Sequence, residues 1–105
     1  MAWVWLALAA LFEVGWAVGL KKAMADGGGV VWAATVGAMA ASVVFLGLAT
    51  RELPLGTAYA VWTGAGTAGV FIAGVLLFGE SADFLRIGCV MLILAGVFGL
   101  KLLSP

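Results

Sequence analysis

Polar positions in this chain gather in three short clusters, and nearly unbroken apolar sequence runs between them. Residues 1–20 are apolar except for Glu13. Lys21, Lys22 and Asp26 follow, then the triplet Gly27-Gly28-Gly29. Residues 30–50 carry no charge, and Arg51, Glu52 and Pro54 come next. Residues 55–79 are again uncharged. Glu80, Asp83 and Arg86 bracket a turn, and 87–100 is apolar with Lys101 near its end. A hydrocarbon core about 30 Å thick takes about 20 helical residues to cross. The pattern therefore predicts four transmembrane helices, approximately over 2–20, 30–50, 55–79 and 84–103. The last requires Arg86 to snorkel toward water. Eight or more strands of alternating polarity, the mark of a membrane barrel, are not present. The expected fold class is an all-α membrane protein, a single four-helix transmembrane domain over residues 1–105.

Composition excludes the soluble alternative. The chain is 66% hydrophobic, with sixteen glycines besides, and only 10% charged. A typical soluble domain is about 25% charged, and a domain this small has too much surface to hide so much apolar area. With five basic and five acidic residues the net charge is zero, so no basic footprint for nucleic acid exists. The single cysteine, Cys89, sits in an apolar run and reads as a small hydrophobe. The chain has no histidine. Ser-His and Cys-His nucleophilic sites and histidine metal sites are thereby excluded, and no enzyme, metal or cofactor is expected. The first span lacks a basic leader and is interrupted by Glu13, so it reads as a retained helix rather than a cleaved signal.

Four spans put both ends of the chain on one side. Lys21, Lys22 and Arg86 then face one aqueous phase, and Arg51 and Lys101 the other. Three against two gives almost no positive-inside bias. That near-tie fits a chain that inserts both ways round and pairs an up copy with a down copy. Gly88, Leu92 and Gly96 fall at i, i+4 and i+8 on the last span. Small residues so spaced let membrane helices approach closely, and they mark the expected homodimer contact.

Glu13 lies about ten residues into the first span, roughly 15 Å at 1.5 Å per residue, near the bilayer centre. An acidic side chain there costs about 2.5–3.5 kcal/mol on insertion scales, and intramembrane charges mark ion and proton pathways. Glu13 is therefore read as a cation- or proton-binding group facing a cavity; the alternative is a protonated packing residue. Trp16, three residues on, shares its face. Tyr59, Trp62 and Gly66 share a face of the third span, where aromatic rings attract cations. Ser42, in the middle of the second span, either bonds its own backbone or orients the carboxylate. Gly64, Gly66 and Gly69 weaken the third helix, so they read either as close packing or as a hinge. The Gly27-Gly28-Gly29 loop lacks a phosphate-loop ending and is read as a flexible turn.

These residues resemble the small multidrug resistance transporters over essentially the whole chain. The most specific stretch is Gly56-Thr57-Ala58-Tyr59-Ala60-Val61-Trp62-Thr63-Gly64-Ala65-Gly66, which looks like the family's third-helix signature. Leu92-Ile93-Leu94-Ala95-Gly96-Val97, after Gly88, is similar to its fourth-helix dimerisation pattern. Phe12-Glu13-Val14-Gly15-Trp16-Ala17 resembles the guanidinium-exporter branch, in which a Trp follows the Glu by three. The polyaromatic-drug branch carries a small residue there. The chain departs from the family between residues 25 and 31, where glycines replace a more polar loop. The resemblance implies a proton-coupled guanidinium exporter of the bacterial inner membrane, working as an antiparallel homodimer. It implies one site shared by two Glu13 carboxylates, with Ser42 and Trp62 supporting them. Trp16 would line the cavity and Tyr59 would belong to the gate or network. Two other readings remain: an exporter of quaternary ammonium or aromatic cations, which Trp16 opposes by filling space, and an accessory membrane subunit without transport.

Overall fold

The computed structural model describes residues 1–103 and consists of four α-helices. They are α1 (Ala2–Asp26), α2 (Gly29–Ala49), α3 (Leu55–Phe78) and α4 (Phe84–Leu103). All four are long and apolar enough to cross a membrane.

α1 runs six residues past the apolar stretch, through Lys21 and Lys22 to Asp26. Lys, Ala and Met are good helix formers, so the charges mark a membrane edge rather than a helix end. The helix stops where Gly27 turns extended, with φ −72° and ψ 135°. A Cβ at Gly27 would run into the backbone of Ala23, so the turn requires glycine there. α2 ends at a tight turn in which the Thr50 hydroxyl donates to the Gly47 carbonyl at 2.6 Å. Pro54 precedes α3 with φ −58°, preset for helix entry. Gly79 ends α3 with φ +64°, a left-handed conformation that favours glycine. Asp83 stands before α4 and accepts the Arg86 amide N–H at 2.8 Å, the geometry of a helix cap.

α1 packs on α2 and α3, while α4 packs chiefly on α3 and reaches α1 through Lys101 over Trp3. Small residues set these approaches. A Cβ at Gly19 would collide with Thr35 of α2, one at Gly69 with Val14, and one at Gly64 with Val97 of α4. The result is a slab of 44 × 34 × 16 Å. α4 has no buried residue, and its Gly88, Leu92 and Gly96 stripe is open.

The two ends of the bundle carry separate charges. At one end the terminal amine lies 3.8 Å from Glu52, and the Lys101 ammonium sits over the Trp3 ring. At the other, Lys21 meets Glu80 and Arg86 meets Asp83.

Candidate functional site

Glu13 sits midway along α1 on the side facing α3. There α3 presents Gly66: any side chain built at Gly66 would overlap the Glu13 carboxylate. The face of Gly66 that lacks a side chain is therefore the space in which the carboxylate lies. Glu13 Oε1 is buried and has no hydrogen-bond partner among the described residues. Trp16 Nε1, one turn on, is likewise buried and unpartnered. Buried polar atoms nearly always have partners, so an orphaned one calls for a ligand, a water or a neighbouring chain.

One turn nearer the start of α1 lies a closed polar network. Ser42 of α2 is fully buried. Its hydroxyl donates to the Ala9 carbonyl at 2.7 Å and accepts the Trp62 indole N–H at 2.9 Å. In an α-helix the carbonyl of residue 9 also receives the amide of residue 13. Ser42 thus fastens three helices together at the peptide that anchors Glu13. The hydrogen bonds of Ser42 and Trp62 go to each other and to this peptide rather than to the carboxylate. Tyr59 is exposed and stands edge-on to Trp62, with ring centroids 5.4 Å apart and planes at 71°.

The glycines of α3 do not interrupt the helix. Gly64, Gly66 and Gly69 sit where α4, Glu13 and Val14 respectively come closest.

The profile of the family described as Small Multidrug Resistance protein matches residues 1–93. The chain belongs to the small multidrug resistance family. Among its relatives, the guanidinium exporter of Yersinia pseudotuberculosis serotype I (strain IP32953) is 52% identical over 104 residues, covering 99% of this chain and 100% of the relative. The guanidinium exporter of Escherichia coli (strain K12) is 47% identical over 102 residues, 97% of each chain. This small multidrug resistance protein is a transporter, not an enzyme, and a multi-pass protein of the bacterial inner membrane. Sequence patterns point to Glu13, Trp16, Ser42, Tyr59 and Trp62. They give no sign of the Ala9 carbonyl, because a backbone acceptor 33 residues from its donor leaves no mark in side-chain spacing. In the sequence Gly66 is legible only as a choice between close packing and a hinge; the structure places it directly against the Glu13 carboxylate.

Proposed function

We propose that this chain is a proton-coupled antiporter that exports guanidinium and small guanidinyl cations. The observation that carries the reading is the buried, unpartnered Glu13 carboxylate oxygen midway along a membrane helix. The two relatives described above, named guanidinium exporters and similar over nearly the full length, support it.

The working unit is an antiparallel homodimer. One copy leaves Glu13 Oε1 and Trp16 Nε1 without partners among the described residues, and α4 offers the open Gly88, Leu92 and Gly96 stripe to a second copy. The two Glu13 carboxylates then face one cavity and titrate as a coupled pair. They hold either protons or one planar cation. Guanidinium offers paired N–H donors that match a carboxylate fork. Because protons and substrate compete for the same oxygens, loading one releases the other, which is antiport. The Ser42–Trp62 network holds the α1 peptide beneath Glu13, so the carboxylates keep their spacing. Trp16 narrows the cavity, and its free N–H is available to a water or to a group of the second copy. Tyr59, exposed beside Trp62, belongs to the gate. Bending at Gly64 and Gly66 lets the two copies adopt different shapes, so the site opens to one side at a time. Exchange of two protons for one cation moves net charge, and each charge is worth about 2.3 kcal/mol per 100 mV.

Solid-supported membrane electrophysiology on protein in liposomes tests this. Guanidinium evokes a current with wild type and none with Glu13→Gln. A current that survives in the variant refutes the reading.

A further inference from the structure

We propose that Glu80 and the ring of Phe78 form a second, outer cation site, at which guanidinium displaces the ammonium of Lys21. The inference rests on the export reading above and adds a residue set to it.

The geometry is that of a small-cation site already filled by the chain's own cation. Lys21 Nζ lies 3.1 Å from Glu80 Oε2 and 4.8 Å from the centroid of the Phe78 ring. A carboxylate on one side and an aromatic face on the other recognise any compact cation. Guanidinium is more weakly hydrated than an ammonium, stacks on aromatic faces and binds a carboxylate through two parallel N–H donors. It is therefore a good competitor for this place. The resident is also easily displaced. Lys21 is 55% and Glu80 51% exposed, and an ion pair so open contributes little.

The backbone is built to hold Glu80 here. The left-handed Gly79 turns the chain back over the end of α3, and the Glu80 N–H donates to the Gly74 carbonyl at 3.2 Å. Gly74 leaves room for the Glu80 carboxyl, which any Cβ at that position would strike.

The site lies on the line that leads to Glu13. Glu13, Ala17 and Lys21 are at i, i+4 and i+8 on α1. Opposite them on α3 run Gly66, Val70, Gly74 and Phe78 at the same interval. A cavity of about 60 Å³ lies beneath the ion pair, walled by Ala17, Val18, Val70 and Gly74. Eight residues of helix separate Lys21 from Glu13, about 12 Å. A cation held at Glu80 waits two turns from the central carboxylate. In an antiparallel dimer each membrane face receives one such site. Asp83 and Arg86, a second ion pair at this end, are engaged with each other.

The two halves of the ion pair should act in opposite directions, and this separates a site from a clamp. Guanidinium titrations of the evoked current are run on wild type, Glu80→Gln and Lys21→Gln in liposomes. Removing the carboxylate raises the half-saturating guanidinium concentration about two- to fivefold, the range an exposed ion contact carries. Removing the resident ammonium lowers it by a similar factor. The saturating current persists in both. The double variant follows Glu80→Gln. Both single variants break the same ion pair, so shifts in the same direction, or no shift in either, overturn the proposal and leave Lys21–Glu80 a structural contact. A silent wild type refutes the export reading and this inference with it. If Glu80→Gln does not elute like wild type in size exclusion, Phe78→Leu removes the ring and leaves the ion pair. It too raises the half-saturating concentration, and an unchanged value overturns the proposal.

Discussion

Replacing Ser42 by alanine removes one oxygen and breaks two hydrogen bonds, those to the Ala9 carbonyl and from the Trp62 indole. The Ala9 carbonyl keeps its helical partner, so its loss is small. The Trp62 N–H keeps nothing, and it is the expensive survivor. Hydrogen bonds between membrane helices average about 0.6 kcal/mol and reach about 1.7. A buried donor left unpaired costs about 1–3 kcal/mol. Since the broken bond and the stranded N–H are partly the same energy, we expect a destabilisation of about 1–3 kcal/mol for Ser42→Ala. Denaturant titration of the purified protein in detergent micelles measures it. Trp62→Phe supplies the second edge of a double-mutant cycle, because it removes the donor while Ser42 still donates to Ala9. With the indole gone, Ser42→Ala strands nothing and costs less, so the cycle gives a coupling of about 0.5–2 kcal/mol. Additivity of the two substitutions to within about 0.3–0.5 kcal/mol refutes the network.

Gly66→Ala places a methyl group where the Glu13 carboxylate lies. Overpacking of this kind costs about 1–3 kcal/mol, and guanidinium-evoked current falls even where the protein still folds. Gly19→Val drives a side chain into Thr35 and parts α1 from α2; the melting temperature drops, and an unchanged value contradicts the close approach. Asp83 is held below the usual carboxylate range, chiefly by the Arg86 amide N–H it accepts, with help from Ser81 and the Arg86 guanidinium. A carboxylate with a depressed value stabilises the fold above its unfolded value of about 3.9, and that contribution is lost as pH falls through the folded value. Asp83→Ala therefore lowers the melting temperature at neutral pH, and the gap from wild type narrows in acid. A gap that widens in acid contradicts the cap.

The four spans are legible because a bilayer imposes one length scale on every helix, and runs of uncharged sequence meet it at four places. Glu13 stands out for the complementary reason: a lone acid in such a run is costly in a bilayer, and its Oε1 is buried without a partner among the described residues. The helix ends are less so. α1 continues through Lys21 and Lys22 because helix propensity does not change at a membrane surface, whereas composition does. Contacts between spans are the least legible. Ser42 pairs with residues 33 and 20 positions away, and one of those partners is a backbone carbonyl. Lys21 and Glu80 are each visible as charges, but 59 residues separate them, and it takes the packing of α1 on α3 and the turn at Gly79 to bring them together. The glycines of α3 show why composition is ambiguous. The same absence of a side chain loosens a helix or admits a neighbour, and in this structure Gly66 admits Glu13.

The open stripe of α4 has a genetic consequence. On the proposed pairing, no copy owns a complete site, and each lends half of it to a sibling drawn from the same pool in the membrane. A cell carrying both an intact gene and one encoding Glu13→Gln would then assemble mixed pairs, each with a single carboxylate. Only the minority of pairs drawn wholly from the intact gene would transport. Such an allele behaves as dominant interference rather than as simple loss, and its severity rises with its share of expression.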